Sequence, residues 1–228
     1  MARMRAIRAP GSAGIAACLV LALTATADEP AATPPAAAPA AAAAAAPVGD
    51  ARRGAHLAYT CFGCHGIPGY RNAYPDYHVP MLGGQHAGYL AAALDEYRSG
   101  ARRHPTMSGQ AGSFDEQALR DLAAYFATAH AVEAGAAVGT APAAAAVCQA
   151  CHGPTGVGIL PEYPTLSGQH PDYLAQALKA YRSGARQNAI MQGFASTLKD
   201  SDIEALANYF SQQQPALRTP EAPRHPGE

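Results

Sequence analysis

The chain repeats itself, and the repeat constrains its fold more than any local propensity does. Pro80-Met81-Leu82-Gly83-Gly84-Gln85-His86 returns 84 residues later as Pro164-Thr165-Leu166-Ser167-Gly168-Gln169-His170. The same offset carries Tyr89-Leu90 onto Tyr173-Leu174 and Tyr125-Phe126 onto Tyr209-Phe210. It also carries Tyr97-Arg98-Ser99-Gly100-Ala101-Arg102 onto Tyr181-Arg182-Ser183-Gly184-Ala185-Arg186. Self-similarity at one period means one structural unit made twice. Each copy is about 80 residues long, a size at which apolar burial alone is marginal.

A second matched pair names the chemistry. Cys61-Phe62-Gly63-Cys64-His65 and Cys148-Gln149-Ala150-Cys151-His152 are both Cys-x-x-Cys-His, the attachment signature for c-type haem. Two thiols three residues apart at a helix end reach the two vinyl groups on one haem edge and form thioethers. The next residue then turns its imidazole onto the iron. These motifs are 87 residues apart, so the copies differ by three residues between the haem His and the repeated Pro, where Ile67-Pro68-Gly69 lengthens the first loop. A zinc module or a redox dithiol also uses Cys-x-x-Cys. Structural zinc wants four ligands per site, whereas each copy offers Cys, Cys, His and a Met that zinc rarely takes. Two covalently bound haem c groups are therefore expected, and each supplies the hydrophobic centre its small unit lacks.

The sixth iron ligand is chosen by the repeat. Past the N-terminal leader the methionines are Met81, Met107 and Met191. Met107 lies 84 residues before Met191, while Met81 aligns with Thr165. The expected iron ligands are thus His65 with Met107 and His152 with Met191, and Met81 is read as a flexible apolar gap-filler. His78 or His104 could replace Met107 at the first haem and open an enzyme-like site, but neither has a His at the aligned position.

The ends read differently. Arg3, Arg5 and Arg8, the apolar run from Ile15 to Leu23 and Ala25-Thr26-Ala27 form a signal peptide over residues 1–27, cleaved near Ala27. The alternative Ile15-Ala16-Ala17-Cys18 is a lipoprotein-type site that would leave a lipidated Cys18. Export places the mature protein in the periplasm, soluble unless lipidated. An Ala/Pro-rich linker follows at 28–47, then haem domain 1 at 48–130, an interdomain linker at 131–140, haem domain 2 at 141–212 and a disordered Pro-rich tail at 213–228. Of 228 residues 14% are charged, and the formal net charge is -1. That excludes a nucleic-acid binder working through a strong basic field and a wholly disordered acidic chain.

Both units read as all-α. Asp50 is a candidate N-cap for a helix running into Cys61. Leu90, Leu94 and Tyr97 follow helical spacing up to Gly100, and Leu119, Leu122, Tyr125 and Phe126 do so after Asp115. Leu174, Leu178 and Tyr181, then Ile203, Leu206, Tyr209 and Phe210, repeat the pattern.

These residues resemble the class I c-type cytochromes, and the doubled arrangement resembles the diheme cytochrome c4 family over roughly residues 48 to 212. The resemblance implies two tandem cytochrome c-like haem domains, all-α, packed through a pseudo-twofold interface. It also implies that the carbonyls of Pro80 and Pro164 accept hydrogen bonds from the ring N–H of His65 and His152. With His and Met filling both axial positions, the chain is expected to be an electron carrier and not a catalyst. The implied partners are a quinol-oxidising bc-type complex as donor and a haem-copper terminal oxidase as acceptor. A runner-up is a haem subunit serving one dedicated periplasmic dehydrogenase. His86 and His170 are read as packing and capping residues at helix starts. For Arg98, Arg102, Arg182 and Arg186, haem propionates and a solvated helix end are both open readings.

Overall fold

The computed structural model describes residues 48–214 and 217–222. Residues 1–47, read above as a signal peptide with Cys18 and an Ala/Pro linker, fall outside the described residues. Those that are described lie in one compact unit.

The first copy begins with α1 (Ala51–Leu57), capped by Asp50, whose carboxylate accepts from the backbone N–H of Arg52 and Arg53. The helical run expected to reach Cys61 does so with a change of pitch. It tightens into a 3-10 turn (Ala58–Cys61) and reopens as α2 (Phe62–His65). The change of pitch comes where the chain begins to present its cysteines. Next come α3 (Ala87–Ser99), α4 (Pro105–Gly112) and α5 (Glu116–Thr128). Gly100 ends α3 in the left-handed region with φ 83°, and Asp115 caps α5 through the N–H of Ala118.

The second copy has α6 (Ala145–His152), α7 (Pro171–Ser183), α8 (Ala189–Ser196) and α9 (Asp200–Ser211). Among the described residues, extended pairing is confined to isolated bridges.

Helices pack within each copy: α5 lies against α1 and α3, and α9 against α7. The two cores obey the repeat. Ala58, Leu90, Leu122, Ala123 and Phe126 are buried together in one, and Ala145, Leu174, Leu206, Ala207 and Phe210 in the other. Each pair is related by the offset of its own segment. The first cluster buries three large apolar side chains and the second four, with Tyr209, each contributing roughly 1.5–3 kcal/mol.

In the first copy α1 crosses α5 at backbone contact. A Cβ on Gly54 would come within 2.0 Å of the Asp121 carbonyl oxygen. Asp121 holds the crossing from the other side. Its carboxylate accepts from Asp50 N at 2.7 Å, Arg53 Nε at 2.8 Å, Arg53 Nη2 at 3.0 Å and Gln117 Nε2 at 2.9 Å. With the Arg53 hydrogen bonds outweighing burial, the carboxyl is pulled down to about 2.

The described part of the tail, residues 213–214 and 217–222, departs from the sequence reading. Gln213 is buried and clamps the linker, its amide exchanging two 2.8 Å hydrogen bonds with the backbone of Val138. Leu217 is 2% exposed, and its N–H donates to Ser167 O. Arg218 then exchanges two backbone hydrogen bonds with Gly83, the position equivalent to Ser167 in the other copy. The described part of the tail is therefore a strap joining equivalent loops of both copies. It was unreadable because one buried Leu and backbone pairing leave no side-chain pattern among the prolines.

Candidate haem sites and the boundary between them

Cys61 and Cys64 flank the start of α2, and Cys148 and Cys151 lie on α6. None of the four forms a disulfide. Burial pushes the thiols of Cys61 and Cys148 up. His65 and His152, the last residues of α2 and α6, are both buried. Their Nδ1 atoms lie 2.8 Å from Pro80 O and 2.9 Å from Pro164 O. A carbonyl only accepts, so each Nδ1 carries the proton and each Nε2 keeps its lone pair free for a metal. Desolvation lowers the pKa of both rings and favours this neutral form. The Pro carbonyl contacts inferred from resemblance are thus present in both copies.

The donor set fits a covalent haem: two thiols, one neutral oriented imidazole and a small apolar core in each copy. Among the described residues no group of three or more His, Cys, Asp or Glu side chains is placed to hold a metal ion.

Met107 and Met191 sit on α4 and α8, two-turn helices that the sequence pattern did not reveal. The Gly, Ala and Ser content of α4 gives no apolar period, and in α8 only Ile190, Met191 and Phe194 are large and apolar, too few to mark a helix by themselves. The caps carry the signal instead: His104 Nδ1 accepts from Met107 N at 3.3 Å, and Asn188 Oδ1 accepts from Met191 N at 3.0 Å. The caps are equivalent residues, so the two methionines occupy the same helix position in both copies. His104 is engaged as a cap. His78 is engaged as well, its Nδ1 lying 2.7 Å from Asp172 Oδ2.

The copies meet through loops with reciprocal geometry. Gln85 donates from Nε2 to Thr165 O at 2.9 Å and accepts from Thr165 N at 2.8 Å. Gln169, its equivalent, does the same to Met81 O and Met81 N, both at 3.0 Å. Gln187 N donates to Ala101 O, and Arg103 N to Ala185 O, around an antiparallel bridge between Arg102 and Arg186. These exchanges describe a pseudo-twofold axis.

Other contacts break the symmetry. Asp172 binds His78 and Arg71 of the lengthened loop, and His78 stacks on His170 with ring centroids 4.6 Å apart. Burial disfavours the Asp172 carboxylate, but the His78 hydrogen bonds prevail and hold it below its usual range. His86 and His170 occupy N-cap positions without capping through their side chains. His86 Nε2 instead reaches Gly158 O across the boundary at 3.1 Å. Sequence reasoning missed these roles because the partners lie 72 or more residues away.

The repeated arginines also divide. Arg98 and Arg182 pair with Asp95 and Asp200 at the surface, whereas Arg102 and Arg186 are buried at the boundary. Arg102 lies 5.0 Å over the Tyr97 ring and Arg186 4.4 Å over Tyr181. Burial would raise the Tyr89 phenol, but the two guanidiniums bring it down to about 8.

The family profile described as cytochrome c matches residues 51–130 and again 136–214. Cytochrome c4 of Azotobacter vinelandii is 36% identical over 189 residues, covering 72% of this chain and 89% of that one. A protein of Stutzerimonas stutzeri named thiosulfate dehydrogenase electron acceptor is 34% identical, covering 68% of this chain and 79% of its own length. The crystal structure of reduced recombinant cytochrome c4 from Pseudomonas stutzeri matches with TM-score 0.58 and 33% identity, over 73% of this chain and all of that one. Thiosulfate dehydrogenase from Marichromatium purpuratum matches with TM-score 0.57 and 30% identity, over 72% of this chain and 40% of its own.

Proposed function

Since the chain belongs to the cytochrome c4 family of diheme c-type cytochromes, we propose that it carries electrons in the periplasm from a quinol-oxidising bc-type complex to a haem-copper terminal oxidase. The bound haems supply one-electron iron chemistry. The observation that carries the reading is the doubled motif with both histidines oriented alike. Each Nδ1 is fixed on a proline carbonyl, and each Nε2 is left to ligate. Met107 and Met191, held at the same helix position by equivalent caps, would supply a thioether ligand to each haem iron. With both axial positions so filled the iron would keep no open position for a substrate, and the protein would act as a carrier rather than a catalyst. A His–Met pair also raises the reduction potential into the range of a carrier late in a chain.

A second reading of the donor has its own support. Relatives named thiosulfate dehydrogenase electron acceptor, and a solved thiosulfate dehydrogenase, match over both domains. In this reading the chain accepts electrons from a periplasmic thiosulfate dehydrogenase and passes them to the same class of oxidase.

The test uses protein exported with its haem-attachment machinery. A pyridine haemochrome count of two, with a low-spin spectrum that loses its sulfur-to-iron charge-transfer band in Met107→Ala plus Met191→Ala, is expected. A high-spin spectrum that binds carbon monoxide readily in the unaltered protein would refute the carrier. Stopped-flow reduction by a purified bc-type complex and by a thiosulfate dehydrogenase then separates the donors.

A further inference from the structure

The two methionine helices are capped by different chemistry, and only one of the caps is a side chain that binds haem iron. His104 Nδ1 accepts from Met107 N at 3.3 Å, and Asn188 Oδ1 accepts from Met191 N at 3.0 Å. Capping does not ask for an imidazole, since Asn is among the preferred N-cap residues. Ligation does, because imidazole is a common axial ligand of haem iron and a side-chain amide is not. The His104 bond is also the longer of the two, so little is given up when it opens.

The position of the ring fits a second use. Side chains three residues apart stand on one face of a helix, so His104 lies beside Met107 at the start of α4. Pro105 follows it and keeps it extended, with φ -160° and ψ 108°, outside the helical ladder. Burial lowers the pKa of the His65 ring, the Pro80 contact opposes that, and the nearby His104 adds to the lowering. The His104 ring is thus within electrostatic reach of His65, the expected iron ligand. Tyr97 of α3 meets the same ring edge to face, with centroids 6.4 Å apart.

We propose that His104 is a reserve ligand for the first haem iron: when the Met107 sulfur leaves the iron, the Nδ1 lone pair, released from the Met107 N–H, takes the vacated position. One iron–sulfur bond and one hydrogen bond are exchanged for one iron–nitrogen bond. No proton or electron is transferred, because the nitrogen that accepts from Met107 N carries no proton. Asn188 gives the second copy no such reserve, so loss of the Met191 sulfur leaves that iron open to a small ligand. The inference rests on the diheme reading above.

The test is a carbon monoxide titration of ferrous holoproteins with haem counted in each. It compares the unaltered chain, Met107→Ala, Met191→Ala, and Met107→Ala combined with His104→Asn, which keeps a cap of the kind domain 2 uses. Met107→Ala is expected to stay low-spin and to bind carbon monoxide about tenfold more weakly than Met191→Ala, as for a site whose open form is about a tenth of the population. Adding His104→Asn should make the first haem high-spin and remove that tenfold difference. Equal carbon monoxide affinity in Met107→Ala with and without His104→Asn would overturn the reserve ligand. Where Met107→Ala loses haem, Met191→Ala combined with Asn188→His decides the matter. Weaker carbon monoxide binding than Met191→Ala supports ligation from the cap position, and equal binding overturns it. Fewer than two haems in the unaltered chain would overturn the diheme reading and the reserve ligand with it.

Discussion

Replacing Gln85 with Leu keeps a side chain of similar size and removes both polar ends of one interdomain clamp. The Thr165 N–H and C=O, which Gln85 satisfies at 2.8 and 2.9 Å, lose their partners. Thr165 is 2% exposed, so water cannot replace the amide. Each orphaned group costs about 1–3 kcal/mol, and the apolar Leu recovers roughly 1–2 kcal/mol of that through burial. The net expected loss is about 2–3 kcal/mol. Gln169→Leu is the built-in control, because its targets belong to Met81, which is only partly buried. Water can reach those groups, so the loss should be about half as large. Urea unfolding of the holoprotein followed by circular dichroism measures both, and calorimetry shows whether one cooperative transition splits as the domains part. A Gln85→Leu protein within about 0.5 kcal/mol of the unaltered one, or no worse than Gln169→Leu, would refute burial of Thr165 as the deciding factor.

Asp121→Asn should destabilise domain 1 by about 2 kcal/mol, the usual scale for hydrogen bonds to a charged group, in urea unfolding at pH 7. The folded carboxyl sits at about 2 against an ordinary 3.8. Its contribution is therefore complete above about pH 4 and lost as pH falls toward 2, and an acid titration of stability should lose that component in the Asn variant. Gly54→Ala gains about 1 kcal/mol of helix propensity but forces a Cβ against the Asp121 carbonyl. Overpacking of about 3 kcal/mol wins, and a net loss of about 2 kcal/mol should appear as a lower thermal midpoint. Leu217→Ala empties a site that is 2% exposed and should cost about 2–3 kcal/mol. It should also speed proteolysis of the tail beyond Gln213, and an unchanged cleavage rate would contradict the strap.

The cofactor, the doubling and the helical class were legible because each leaves a mark within a short stretch of chain. Cys-x-x-Cys-His is a local geometric requirement, and an offset of 84 is visible by laying the sequence on itself. Periodic leucines also report their own burial, so the two cores fall on residues whose spacing had already selected Leu90, Leu122, Leu174 and Leu206. The helices α4 and α8 left a weaker mark, because each is only two turns long and α4 is built largely of small or polar residues. The caps at His104 and Asn188, with Pro105 at the first position of α4, define where they start. Tertiary structure alone decided that Gln85 and Gln169 reach across the boundary and that the Pro-rich tail straps the copies together. It also decided that Arg102 and Arg186 are buried while Arg98 and Arg182, in the same repeated segment, are not. Backbone pairing and burial between segments 80 or more residues apart depend on how loops meet in space, and a pattern read along one segment carries no record of its partner.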